Sequence, residues 1–406
     1  MPETYATRLK FALPQIETAY AFAQKNITED LLFFVAQRLA DVRSPSGKVG
    51  LTIAPAMESI LGNFGIDQKT SVFTHNYLGT GNPVLEINPG SKQSPVIFFA
   101  HGDEVSYFVK KQGKSEVELE ANCAHRQAPA EDAGKNAIVQ FPGQALRFEK
   151  NPMGEIVAEG NVITNQKGEI TFVTDRGASP ELKKGDLIIF NPLPNEEHRL
   201  KREGSNAVGM IDNRIGIAAT LLMVQTMDKL QKTQPDKFSD IKTIGVFDDR
   251  EEGPPTGAFG LGAQAFANAF APASGTSEDK YIVVDGHDDK RDSLSPKALL
   301  AKIVSKGKGV VMDDLRADKM KMLIEPLNET GASISWDENV GATTSRSSDW
   351  GLKKAKIPDS QILVAGYSEV MPHHNDLKPA VASITSAVEL SRFLVALNVA
   401  ASFGLI

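Results

Sequence analysis

The sequence predicts an α/β fold: a mainly parallel sheet flanked by helices, with a small all-β domain inserted into it. Three observations predict this. Short apolar runs alternate with helix-patterned stretches, as they do in parallel sheets. The stretch 106–206 breaks that rhythm with short alternating runs and turn residues. Acidic and histidine motifs stand at the ends of the apolar runs, where open α/β sheets bind their ligands.

The elements follow in chain order. Residues 1–60 read as helical. Asn26-Ile-Thr-Glu29 has the spacing of a capping box, with Asn26 as the cap. Leu31, Phe34, Val35 and Leu39 then make one apolar helix face. Ser44-Pro-Ser-Gly47 interrupts the helices. Val96-Ile-Phe-Phe-Ala100 reads as a buried strand. Within 106–206, the runs Ile138-Val-Gln-Phe, Ala145-Leu-Arg-Phe, Glu169-Ile-Thr-Phe-Val and Asp186-Leu-Ile-Ile-Phe predict strands. Pro142-Gly143, Asn151-Pro152, Lys167-Gly168 and Lys184-Gly185 supply the turns. The α/β pattern resumes near Asn206. The segment from Ile215 to Gln225 is apolar nearly all round, as a helix packed on a sheet is. Thr243-Ile-Gly-Val-Phe247, Tyr281-Ile-Val-Val284 and Gln361-Ile-Leu-Val364 predict further strands, and 318–328 and 380–397 further helices. The expected organisation is one discontinuous α/β domain, 1–105 with 207–406, interrupted by a β-rich domain at 106–206.

Composition narrows the chemistry. The chain has 406 residues, with 51 Asp+Glu, 44 Lys+Arg and a net charge of −7. A chain of this length buries a core without staples. Its single cysteine, Cys123, forms no internal disulfide and no thiolate zinc site. A metal site must therefore use His and carboxylates. No apolar run reaches the ~18–20 residues of a membrane span. The N-terminus, MPETYATRLKFALPQ, has no basic segment followed by an apolar one. No Lys/Arg stripe marks a nucleic-acid surface. The expectation is a cytoplasmic protein without nucleic-acid or membrane partners.

The chemistry-bearing motifs form an ordered set. His101-Gly-Asp103-Glu104 follows the strand at 96–100. Asp212-Asn-Arg214 stands where the chain re-enters the α/β domain. Asp248-Asp-Arg-Glu251-Glu252-Gly253 follows the strand at 243–247. Asp285-Gly-His287 follows the strand at 281–284, and His373-His374-Asn-Asp376 comes late in the chain. Each motif alone is a common structural feature, but the ordered set is not. Two divalent ions ~3.5–4 Å apart need about five protein ligands with one bridging carboxylate. His and carboxylates without Cys suit zinc, cobalt or manganese in a catalytic site. The pair Glu251-Glu252 offers one ligand and one general base. Asp103 is spaced to accept the other ring N–H of His101.

The series His101-x-Asp103-Glu104, Asp212-Asn-Arg214, Glu251-Glu252-x-x-x-x-Gly257-Ala258, Asp285 and a late His resembles the glutamyl-aminopeptidase-like family of cytosolic di-metal aminopeptidases, the tetrahedral-aminopeptidase type. The resemblance spans nearly the whole chain, insertion included. It implies a zinc-peptidase-like catalytic domain and a metallopeptidase that removes N-terminal residues from short peptides through a metal-bridged water. It implies two divalent ions per chain, zinc with cobalt or manganese as alternatives. His101 and Asp285 would hold one ion, Glu252 and His374 the other, and Asp212 would bridge them. Glu251 would be the general base, and Asp103 would orient His101. The inserted domain would mediate dimerisation within a homo-oligomer. Ser44-Pro-Ser-Gly47 resembles a Ser-Gly segment of the family.

The chain departs from the family pattern at three places. Asn213 stands where a second Asp is usual. His374 is followed by Asn375-Asp376, which leaves His373 as an alternative ligand. Ser348-Asp349-Trp350 replaces a Thr-Asp-Ala segment, with Trp350 expected to narrow the specificity pocket. Two alternative functions stay open: a metal-dependent hydrolase of N-acyl amino acids or peptide-like amides, and a scaffold that assembles without hydrolysis. The loose fingerprint Gly260-Leu-Gly262 reads as tight helix–sheet packing rather than a dinucleotide site. Cys123 beside His125 reads as a half-buried thiol rather than a nucleophile.

Overall fold

The computed structural model describes residues 4–66, 71–113, 116–123, 139–165, 167–174, 182–253, 259–274, 279–288, 294–301, 312–337, 347–370 and 379–406. Three helices open the chain: α1 (Tyr5–Asn26), α2 (Glu29–Ala40) and α3 (Val49–Asn63). Asn26 is the last residue of α1, so it does not cap α2. Thr28 caps α2 instead, its hydroxyl accepting from Leu31 N at 3.2 Å.

Among the described residues, a sheet of 11 strands forms the middle layer. Along its main path it runs β1 (Ser71–Thr74), β2 (Val84–Ile87), β12 (Thr243–Asp248), β3 (Val96–His101), β13 (Lys280–Asp288), β16 (Ile362–Val370), β17 (Ala380–Ser383), β11 (Asn206–Gly209) and β10 (Leu200–Glu203). β14 (Ala298–Ala301) and β15 (Ile334–Asp337) branch from β16. The sheet is mixed. Its centre, β12-β3-β13-β16, is parallel, and both edges are antiparallel.

The central strands are apolar on both faces because both are covered. On one face, Phe98, Ala100, Ile282 and Leu363 share one buried cluster with α4 (Arg214–Thr233) and α8 (Ile384–Ser402), against which α1 and α2 pack in turn. On the other, Ile97, Phe99, Val246 and Val283 pack against α5 (Leu261–Ser274) and α7 (Ser347–Lys354). α6 (Asp314–Glu329) lies against α1 and is capped by Asp313, so it starts before the expected 318. The expected helix at 380–397 begins as strand β17, because Val381 and Ala382 pair with β11 and β16. Ser383 then caps α8. α8 is long and apolar enough to cross a membrane, contrary to expectation, but 89% of its apolar window is buried inside the protein.

The inserted strands close into a barrel: β4 (Ser106–Gln112), β5 (Val117–Ala121), β8 (Ile170–Thr174), β7 (Glu155–Thr164), β6 (Val139–Arg147) and β9 (Leu187–Phe190). Closure removes the exposed edges. Tyr107, Leu119, Phe141, Val162, Phe172 and Ile188 are among its buried apolar residues. The barrel ends at Phe190. The stretch 200–206, expected within the insertion, carries β10, which pairs with β11 in the large sheet.

Candidate metal centre

The parallel strands β12, β3 and β13 lie side by side, so their C-terminal ends form one rim. Asp248 and His101 end β12 and β3 and are directly paired. Asp285 does not follow β13 as expected. It lies inside it, because pairing with β16 continues to Asp288. The pairing of β13 with β3 stops at Val283, so Asp285 sits just beyond that ladder. Strand alternation puts Asp285 and His101 on one face, with His101 Nε2 4.0 Å from Asp285 Oδ1. Asp212 enters from the far side of the sheet, between β11 and α4. Its Oδ1 lies 2.8 Å from His101 Nε2. Donor atoms of His101, Glu251 and Asp285 all lie within 4.8 Å of one another.

Behind this cluster sits Asp103, fully buried. Its Oδ1 is 3.5 Å from His101 Nδ1 and accepts from Glu251 N at 3.1 Å. Its Oδ2 accepts from Ser46 Oγ at 2.7 Å. One carboxylate therefore holds both the imidazole and the backbone of the acidic turn. The turn is fastened a second time through Asp249, whose Oδ1 accepts from Gly47 N and Arg250 N. Asp249 N donates to Asn82 Oδ1, and Asn82 Nδ2 donates to Gly262 O. Arg250 takes φ 59° to reverse the chain into Glu251.

The electrostatics fit a divalent cation. Asp103, Glu251, Glu252 and Asp285 are buried, with Asp212 partly open to solvent. The His101 imidazole lies among them, 3.5 Å from Asp103, 2.8 Å from Asp212 and 4.0 Å from Asp285. Burial works to lower the His101 pKa, yet Glu251, Asp212 and Asp103 hold it well above 6.5. Burial pushes Glu251 well up. His101 opposes this, while Glu252, Asp285 and Asp103 add to it. Asp248 rises to about 7 and Asp249 to about 8, burial first in both cases. Buried carboxylates in excess are stabilised by a cation. Bonds of ~2.0–2.2 Å to imidazole and carboxylate place donors up to ~4.4 Å apart, close to the spacings seen here.

The structure thus brings together His101, Asp212, Asp285 and Glu251, with Asp103 behind them. Glu252 is buried beside Glu251. His373 and His374 lie outside the described residues, as do Gly257, Ala258 and His125. His287 is buried across Gly366, where a Cβ would overlap its ring. His75 and His198 pair with Glu58 and Asp41 away from the rim. Cys123 is buried 4.0 Å from Glu104 O, and burial pushes its thiol up, against a nucleophilic role. Ser348 donates to Asp248 Oδ2 at 3.0 Å, and Trp350 packs edge-on against Phe259.

Sequence reasoning missed the supporting polar network. Asn82, Asp249, Ser46, Glu104, Arg199 and Arg214 are separated along the chain, and no spacing rule joins them. Ser46, Glu104, Arg214 and Asp249 stand in recognised motifs, but no motif pairs them, and Asn82 and Arg199 stand in none. In this network, burial works to raise Glu104, but Arg199 and Arg214 overcome it and bring the carboxyl from 4.5 to about 2. A lowered carboxyl stabilises the fold above its unfolded pKa and loses that contribution as pH falls through its folded one. Between pH 4.5 and 2, wild type should therefore lose roughly 3 kcal/mol more than Glu104→Gln. Unfolding free energies measured across that range check this, and equal slopes would contradict it.

No family model matches the sequence, and no curated protein matches it. Solved structures do. An aminopeptidase, APDkam598, from the archaeon Desulfurococcus kamchatkensis superposes with a TM-score of 0.62 at 13% identity, covering 91% of this chain and 94% of that one. A TET aminopeptidase from a marine-sediment Thaumarchaeota archaeon gives 0.61 at 14% identity, covering 93% and 99%. The chain has the fold of these aminopeptidases. The mApe1 dodecamer of S. cerevesiae gives 0.58 at 11% identity, covering 92% and 98%. The TET1 peptidase of Pyrococcus horikoshii, which assembles into a tetrahedron or a large octahedral shell, gives 0.57 at 12% identity, covering 90% and 98%.

Proposed function

We propose that the chain is a di-metal aminopeptidase that removes N-terminal residues from short peptides. The observation that carries this reading is the convergence of His101, Asp212, Asp285 and Glu251 at one rim of the sheet. The shared fold supports it. In this reading His101, Asp285, Asp212, Glu252 and His374 (or His373) would hold the two ions, His101 with Asp285 on one, Glu252 with the late histidine on the other, and Asp212 shared. Divalent ions held there would supply Lewis acidity toward the scissile carbonyl and toward water at neutral pH.

The chain's own residues do the rest. Asp103 fixes the ring of His101 by facing its Nδ1. Glu251 takes a proton from the attacking water at its buried carboxylate and returns it to the leaving amine. Zinc is the proposed metal, with cobalt or manganese as alternatives. The barrel, from Ser106 to Phe190, is proposed as the inserted domain and as the subunit contact of a cytoplasmic homo-oligomer.

The test is removal and return of metal. Hydrolysis of aminoacyl substrates should vanish on chelation and return with zinc, cobalt or manganese. The chain should bind about two equivalents of metal. A chain that binds below ~0.2 equivalents after mild purification would overturn the reading. Cleavage of N-acyl amino acids in place of aminoacyl substrates would move it to the related amide hydrolases.

A further inference from the structure

The segment His101-Gly-Asp103-Glu104 is held from beneath by charges that the proposed reaction does not use. Glu104 Oε1 accepts from Arg214 Nη2 at 2.8 Å, from Arg199 Nη1 at 3.0 Å and from Ser44 N at 2.8 Å. Its Oε2 accepts from Arg199 Nη2 at 2.7 Å. Arg214 Nη1 donates to Gly102 O, the carbonyl between His101 and Asp103, at 2.7 Å. Arg199 also donates to Ala40 O at the end of α2 and to Phe190 O at the end of the last barrel strand. All three side chains are buried.

Buried ion groups are poor stabilisers, because desolvation offsets most of their attraction and apolar replacements are often as stable. Arg214 opens α4, and the buried residues that follow it, Ile215 to Ala219, carry no polar side chain. What the guanidinium supplies is direction, since its planar fork fixes two acceptors at once. The acceptors here are the backbone between His101 and Asp103 and the carboxylate that follows Asp103. Arg199 fixes a second pair, Glu104 and the barrel's exit strand. Two cations face one anion, and Arg214 also interacts with Asp103.

We propose that Glu104, clamped between Arg214 and Arg199, is a positioning residue that sets the His101–Asp103 segment for metal binding and registers it against the barrel. This rests on the metal-centre reading. It is tested by chelator competition for zinc on the full chain, compared between wild type and Glu104→Gln. The variant should stay folded by circular dichroism and bind zinc about 10–100-fold more weakly. Arg214→Lys keeps the charge but does not span Gly102 O and Glu104 together, so it should show the same loss. It decides the matter if Glu104→Gln does not fold. A purely structural role lowers the melting temperature and leaves the zinc affinity of folded molecules unchanged, and that result overturns the proposal. A wild-type chain that binds no zinc overturns the metal-centre reading itself, so the two failures are distinguishable.

Discussion

Glu251→Gln should lower kcat by about 10²–10⁴ while leaving KM and metal content near wild type. The substitution keeps shape and burial, and the Glu251 backbone stays tied to Asp103. What it removes is the capacity to take a proton from water and hand it to the leaving amine. The expected loss is the usual contribution of a positioned acid–base group. Metal content is the informative control, because a Glu251 donor atom is within 4.8 Å of those of His101 and Asp285. If the variant loses metal along with activity, Glu251 is a ligand and the base is to be sought at Glu252. If it keeps both metal and activity, Glu251 is neither. Kinetics on a chromogenic aminoacyl substrate, together with metal analysis of the same preparations, separate these outcomes.

The rim itself was legible in the sequence because its strands are covered on both faces. Double burial forces continuous apolar runs, so the ends of 96–100 and 243–247 could be read directly, and His101 and the acidic turn stand there. Asp285 was placed one step wrong for a tertiary reason: β13 continues through it only because β16 is there to pair with. The same cause turned 380–383 from helix into strand. Asn26 against Thr28 was a local ambiguity, since both residue types cap helices. The barrel was legible from its alternating runs, but Pro142-Gly143, expected as a turn, lies inside β6 and pairs with Asn161 and Gly160 of β7, so the two runs on either side of it belong to one strand. The barrel's end was not legible, because only the pairing of β10 with β11 assigns that short strand to the large sheet. The clamp on Glu104 joins residues 95 and 110 positions apart. Periodicity carries no signal over such distances, so Arg199 reads as an ordinary basic residue and Arg214 stands in its motif with no partner assigned.

Gly262→Ala should destabilise the chain and impair the acidic turn together. A Cβ at Gly262 would overlap the Asp249 carbonyl oxygen and lie 2.8 Å from Asp249 N and 2.9 Å from Asn82 Oδ1. Two of those three atoms are backbone, so no side-chain rotation relieves the overlap. Overpacking of this kind costs about 1–3 kcal/mol or more. The displaced backbone is two residues from Glu251, and Asn82 couples it to α5 through Gly262 O. Activity should therefore fall by more than the melting shift alone explains. Gly62→Ala is the matched control: it lies in α3 with nothing within 4 Å of its added Cβ. It should leave activity alone and add about 0.4–1 kcal/mol of stability, as Gly→Ala does in an open helical site. Thermal melts of both variants without added ligand decide between two uses of Gly260-Leu-Gly262. A glycine reserved for a dinucleotide's approach leaves the ligand-free fold intact when substituted. A glycine required by helix and turn packing does not.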